Sequence, residues 1–314
     1  MLNFSTVHQF YDFENDYLTL CRHLLEHGID TFNERTGHFT RKLDGQCSIV
    51  MDVRDGQMPV LSTKSFAWKS MSGELIGFLR GYDNAAKFRS LGCNIWDENA
   101  NSNEQWLANR NRVGTDDLGR IYGVQWRGWK SPFSHLGVDQ LKNVLTKMAA
   151  GTDDRRLIVS AWNPGELSWM ALPPCHMMWQ VFITGDYVDL VWYQRSADVF
   201  LGVPYNCASY SLLLNLLCLV NPKLKPRFVT GHFGDTHLYD NQLDAVQTQL
   251  SRDPHDATDP PRLVMDSTGA SSDSNDPAER AAHLIRWFEL HLQPHMLKLD
   301  NYHPQVAIRV PMVV

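Results

Sequence analysis

Apolar residues between positions 15 and 32 recur at helical spacing, with Leu18, Cys21, Leu24 and Leu25 on one face and Gly28 as the stop, which predicts an amphipathic helix. Residues 70–79 return to the same spacing. Between these two segments, residues 48–53 and 58–61 have strand character. Three further runs, 156–162, 178–184 and 188–195, are β-rich, and Gly185-Asp186 between the last two signals a hairpin. Residues 207–220 are apolar on nearly every side, the pattern of a buried central helix. Residues 266–275 are polar and loop-like, and Asp276-Pro277 then opens a helix carrying Leu284, Ile285, Trp287 and Phe288.

This mixture lacks a βαβ alternation, an internal repeat and a G-x-G-x-x-G turn, so it favours an α+β fold over a Rossmann one. The chain has 314 residues, 43% of them hydrophobic, enough for a sizeable core; residues 1–314 read as one domain with 266–275 as an insert within it. A formal net charge of −6 argues against general nucleic-acid or anionic-membrane binding, although a local arginine cluster can still hold one phosphate. No 18-residue apolar run occurs, and the opening Met1-Leu-Asn-Phe-Ser-Thr-Val-His lacks the basic and apolar regions of a signal peptide. A cytoplasmic protein without membrane attachment is expected. The six cysteines form no C-x-x-C pair, which disfavours disulfides and zinc, and no metal is expected. Cys207 and Cys218, within the apolar run, read as small core residues.

Cys175 is set apart by its company. In Ala171-Leu-Pro-Pro-Cys-His-Met-Met-Trp-Gln180 it follows two prolines that stiffen the turn before it, which suits a nucleophile presented into a pocket. The stretch Tyr193-Gln-Arg-Ser-Ala-Asp-Val-Phe-Leu-Gly-Val-Pro-Tyr-Asn206 then adds an arginine, a carboxylate and a carboxamide. Arg195 would favour the thiolate if the fold brings it close.

These two stretches, with Arg155-Arg156-Leu-Ile-Val-Ser-Ala-Trp-Asn163, Gly234-Asp-Thr-His-Leu-Tyr239, Arg35-Thr-Gly37, Thr63-Lys64, Glu74, Ile95-Trp-Asp-Glu98 and Tyr122-Gly-Val-Gln-Trp-Arg127, resemble thymidylate synthase, the folate-dependent methylating enzyme of dUMP. The match keeps the family's order over most of the chain and weakens in the N-terminal extension, around residues 99–117, and after about residue 250. The resemblance implies a single α+β domain, with a mixed sheet and a buried central helix, paired sheet to sheet in a homodimer.

It also implies roles. Cys175 would add to uracil C6, and the resulting enolate would attack the one-carbon unit of 5,10-methylenetetrahydrofolate. Tyr122 and Glu74 match the positions that organise proton traffic at C5. Arg35, Arg155, Arg156 and Arg195 match the phosphate set, the adjacent pair reaching across from a partner subunit; guanidinium forks suit a phosphate. Ser196 matches a phosphate-contacting hydroxyl, and His237 and Tyr239 match donors to the sugar hydroxyl. Asn206 would read the base, its carboxamide donating to O4 and accepting from N3–H. Lys64, Glu74, Trp96, Asp198 and Val313 match the folate side, Asp198 holding the pterin ring, while Val313 and Val314 would close over the ligands. His176 reads as a packing or hydrogen-bonding neighbour.

The chain departs from the family pattern at Ala67, Asn99 and Tyr205, and in Asn301-Tyr-His-Pro-Gln305, where Tyr302 is retained. Two other readings are a dUMP hydroxymethylase, in which water captures the methylene intermediate, and a catalytically idle nucleotide- or RNA-binding relative.

Overall fold

The computed structural model describes residues 12–131, 134–254 and 258–313. Helix α1 (Phe13–His27) starts where the Asp12 carboxylate accepts the Asn15 N–H at 3.1 Å, and it buries Tyr17, Leu18, Cys21 and Leu24. It stops at Gly28, short of residue 32, because Gly28 turns extended and Ile29 enters a strand. A Cβ at Gly28 would lie 2.5 Å from the Leu24 carbonyl oxygen, so the exit needs glycine.

Strands β1 (Ile29–Asn33) and β2 (His38–Asp52) form a hairpin whose four-residue turn carries Arg35. Residues 58–61 are not a strand. They lie buried and are tied to the chain by the Met58 N–H donating to the Pro261 carbonyl at 2.9 Å; Pro59, without an N–H, cannot serve a ladder. Helices α2 (Trp68–Leu79) and α3 (Tyr122–Gly128) follow. The predicted run 156–162 contracts to β3 (Ile158–Ser160), because Asp154 accepts the Arg156 N–H at 2.9 Å and holds the two arginines in a turn. Strands β4 (His176–Thr184) and β5 (Tyr187–Asp198) form the predicted hairpin, with Thr184 opposite Tyr187 and Gly185 at φ 61°.

Helix α4 (Val203–Cys218) then carries the chain to β6 (Lys225–Tyr239), which pairs parallel with β5. Parallel neighbours need such a crossover, so the fold contains one βαβ unit that the sequence pattern did not reveal. The six strands run in the order β1-β2-β6-β5-β4-β3, with every other pairing antiparallel. The sheet is mixed and the architecture is mixed helix and sheet, as expected. Cys207 and Cys218 are buried in α4, and burial pushes both thiols well up.

The inner face of β4 and β5 buries Trp179, Val181, Ile183, Val188, Leu190 and Trp192, while Met178 and Tyr193 point outward and stay exposed. Residues 266–276 form the expected irregular loop, held to helix α5 (Pro277–Leu290) by the Trp287 indole N–H donating to the Thr268 carbonyl at 3.0 Å. Among the described residues no helix is long and apolar enough to cross a membrane.

Candidate active site

The β4–β5 pairing decides where Cys175 sits. His176 lies opposite Gln194, so Cys175 comes alongside Arg195, whose backbone N–H donates to the Cys175 carbonyl at 2.8 Å. The guanidinium of Arg195 turns back over the proline pair, with Nε donating to the Pro174 carbonyl at 2.9 Å and Nη2 to the Pro173 carbonyl at 3.0 Å. Its face lies 5.4 Å from the Trp162 ring. On the other side the Tyr122 hydroxyl oxygen accepts the Cys175 N–H at 2.7 Å. The cysteine backbone is thus clamped from both flanks while its side chain stays half-buried.

Tyr122 reaches this position because α3 is anchored to the segment before the prolines. Arg120 N–H donates to the Trp169 carbonyl at 2.8 Å, and Ala171 N–H to the Leu118 carbonyl at 3.0 Å. Below them the buried Glu166 carboxylate accepts from Arg120 Nε at 2.6 Å and Gln125 Nε2 at 2.8 Å, a fully partnered charge in the interior.

Glu74, in the middle of α2, accepts the Trp96 indole N–H at 3.0 Å. Burial pushes its carboxyl up to about 7, and the Trp96 bond only partly offsets that. A proton is therefore gained and lost there near neutrality. Tyr122 joins the same cluster, its ring stacked on Phe78 at 5.0 Å and edge-on to Trp96 at 5.7 Å, and burial first and the neighbouring Cys175 second push its hydroxyl well up. His176 packs 4.4 Å from Tyr122 and shares a 2.9 Å hydrogen bond with the Tyr210 hydroxyl. Burial pushes His176 down to about 3, which leaves it neutral at physiological pH and fits a packing role rather than that of a base.

Asn206 lies in the first turns of α4, and its Oδ1 accepts from Gln194 Nε2 at 3.0 Å. Gln194 is oriented in turn by Trp192, whose indole N–H donates to Oε1 at 3.3 Å. An indole can only donate, so the order Trp192, Gln194, Asn206 fixes which way each amide points. Asn206 is left with Nδ2 as a donor and with a second lone pair on Oδ1.

The parallel β5–β6 register places Ser196 opposite Asp235 and Asp198 opposite His237. Asp235 accepts from His237 Nδ1 at 2.7 Å, and the His237 ring meets Tyr239 at 4.9 Å. Asp198 is a junction: Oδ1 accepts the Phe200 and Leu201 N–H groups at 3.0 Å each, and Oδ2 accepts from Gln242 Nε2 at 3.0 Å. Lys64 is buried beneath this turn, its ammonium donating to the Phe200 carbonyl and resting 3.5 Å from the Phe200 ring centre. Burial lowers its basicity to about 8.

Arg35 is exposed on the β1–β2 turn and lines a cavity of about 310 Å³ with Glu98, Ser102, Asn103, Glu104 and Gln105. Arg155 and Arg156 are exposed in the turn before β3, where the Arg155 carbonyl accepts from Gln180 and Arg156 lies 3.7 Å from Asp154. At the C-terminus Asn241 Nδ2 donates to the Pro311 carbonyl at 3.3 Å, and Val313 follows, partly buried; Val314 lies outside the described residues. Sequence reasoning missed Gln194, Tyr210, Asp235 and Gln242. Gln194 and Gln242 are buried polar residues; the strand register places Gln194 opposite His176, and the bond to Asp198 places Gln242.

A family model for thymidylate synthase matches residues 15–314. The chain belongs to the thymidylate synthase family. It is similar to thymidylate synthase of Pseudomonas syringae pv. tomato, at 34% identity over 95% of this chain and 99% of that protein. Thymidylate synthase of Bordetella bronchiseptica is 36% identical with the same coverage, and that of Idiomarina loihiensis 42% identical over 76% of this chain and 83% of its own. The activity is that of a thymidylate synthase, a methyltransferase.

Proposed function

We propose that Cys175 is the nucleophile in a reductive methylation of dUMP to dTMP. The observation that carries this reading is the double clamp on the backbone of the half-buried Cys175, by Tyr122 and by Arg195, the neighbour of the Gln194 that orients the Asn206 carboxamide. Cys175 sulfur bonds to uracil C6, and the electron pair moves through C5 to O4, where Asn206 Nδ2 donates to the developing negative charge while Oδ1 accepts from N3–H. Arg35 and Arg195 bind the phosphate with Ser196, and His237 and Tyr239 hold the sugar hydroxyl.

The co-substrate, 5,10-methylenetetrahydrofolate, supplies the one-carbon unit and then a hydride, and leaves as dihydrofolate. The residues fit it: Asp198 offers a carboxylate to ring N–H groups, and Trp96 offers an indole whose N–H is fixed on Glu74. Glu74, titrating near neutrality, relays the proton taken from C5 through water, with the Tyr122 hydroxyl organising the same water. Trp96 and the tail through Val313 keep bulk water from the exocyclic methylene until hydride arrives. Expulsion of Cys175 sulfur then restores the ring. Lys64 acts from below, holding the Asp198–Phe200 turn rather than offering its charge at the surface.

The working unit is a homodimer. The apolar outer sheet face around Met178 and Tyr193 needs a cover, and the Gln180 side chain of that face donates to the Arg155 carbonyl at 2.9 Å, so the two arginines sit at its margin. From there Arg155 and Arg156 reach the phosphate in the partner's site.

Incubation with dUMP and methylenetetrahydrofolate tests the reaction, with product mass and dihydrofolate absorbance followed together. dTMP in step with dihydrofolate supports it; 5-hydroxymethyl-dUMP without dihydrofolate means a hydroxymethylase, and neither product means an idle relative.

A further inference from the structure

The β2–β6 ladder reaches only Thr40 opposite Tyr239, and two residues, Phe39 and His38, separate it from the turn bearing Arg35. One side chain continues the ladder where the backbones part. Asp240 Oδ1 accepts from His38 Nδ1 at 2.7 Å, and Oδ2 accepts the Phe39 N–H at 3.1 Å. Asp240 Oδ1 also takes the Asn241 N–H at 2.8 Å. His38 directly follows the Arg35 turn, which is closed internally by Asn33: its Oδ1 accepts the Arg35 N–H at 3.1 Å and its carbonyl the Gly37 N–H at 2.9 Å. The turn is thus rigid in itself, and its root is fastened to the strand end that carries His237 and Tyr239. The His38 ring lies edge-on to Tyr239 at 6.1 Å.

We propose that the Asp240–His38 clasp is a positioning unit that sets Arg35 at the correct distance from the sugar-binding pair His237 and Tyr239, and so determines how well the nucleotide phosphate is held. The inference rests on the nucleotide reading above. Both partners are partly solvated, at 36% and 42% side-chain exposure, so the clasp contributes little to global stability and its effect is felt locally. A clasp acting through Arg35 has a signature that a merely structural pair lacks: its loss stops mattering once Arg35 is gone.

Calorimetric titration of dUMP into the full chain tests this with wild type, Asp240→Ala, Arg35→Ala, the double variant and His38→Gln. Asp240→Ala is expected to weaken dUMP by roughly tenfold in the wild-type background and by less than about twofold in the Arg35→Ala background. His38→Gln keeps a donor toward Asp240 and retains most of the affinity. An equal loss in both backgrounds, or no loss in either, overturns the clasp while leaving the nucleotide site standing. Failure of the wild-type chain to bind dUMP overturns the nucleotide reading and the clasp with it.

Discussion

The nucleotide side and the tail side of this site are held in opposite ways. Around Cys175 and Asn206 the functional groups are held by hydrogen-bonded partners: Tyr122 and Arg195 grip the cysteine turn, Trp192 and Gln194 set the carboxamide, and Asp235 sets His237. The tail is firm only at its root. Tyr302 donates to the Leu61 carbonyl at 2.9 Å, Gln305 N–H to the Ser62 carbonyl at 2.7 Å, and Arg252 to the Val306 carbonyl at 2.7 Å. Beyond these clamps Ile308 and Val310 pack only partly on the core, and Asn241 donates to the Pro311 carbonyl at a long 3.3 Å. A pre-organised half suits a covalent step whose geometry must be ready before substrate arrives. A lightly held half suits a cover that must open for each turnover.

The sharpest way to break this contrast is Cys175→Ala. Turnover should fall roughly 10⁴-fold or more while calorimetric dUMP binding persists, because the clamps act on backbone rather than sulfur. Appreciable residual turnover would remove the covalent step.

Next in size is Glu74→Gln, expected to lower kcat by roughly 10²- to 10³-fold. The same variant should be more stable. A carboxyl pushed up to about 7 from 4.5 binds its proton more tightly when folded, so stability falls as pH rises between those values, and the cost is fully present above about 7. Thermal unfolding of the glutamine variant should match wild type near pH 4 and exceed it by about 2–3 kcal/mol at pH 8. Equal stability at both pH values would mean that Glu74 is not a buried ionising group.

Asn206→Asp should move the preference between dUMP and dCMP toward dCMP by roughly 10²-fold, read as the ratio of kcat/KM values. Unchanged discrimination would sink the base-reading role. The smallest effect belongs to Gln194→Met, which frees Asn206 to flip; discrimination between the same nucleotides should relax by about tenfold with kcat on dUMP less affected. If Gln194→Met lowers kcat and leaves selectivity intact, the Trp192–Gln194–Asn206 order is packing only.

Much of the framework of the proposed nucleotide side could be read from the sequence. Cys175 and Arg195 belong to recognisable stretches, and the Gly185-Asp186 hairpin that brings them together is a short-range signal. Gln194 was invisible, because a strand glutamine looks the same whether it faces solvent or an indole. Strand β6 was missed for a related reason. Its alternation is broken at Gly231 and Gly234, where an added Cβ would come within 2.5 Å of the Trp192 ring and 2.8 Å of the Arg195 carbonyl oxygen, so packing against β5 demanded glycine. Missing β6 hid the parallel register that aligns Asp198 with His237, and with it the crossover role of α4. Residues 58–61 misled in the other direction, since apolar composition suggested a strand that Pro59 could not serve.

The most direct test of the contrast is deletion of Val314, with products resolved by mass in the presence of dUMP and methylenetetrahydrofolate. If the tail only covers a finished nucleotide site, the shortened chain binds dUMP as the full chain does, dTMP formation drops sharply, and any residual product shifts toward 5-hydroxymethyl-dUMP without dihydrofolate. If dUMP binding and methylation are instead lost together, the tail helps to build the nucleotide side, and the division between a pre-organised half and a covering half is wrong.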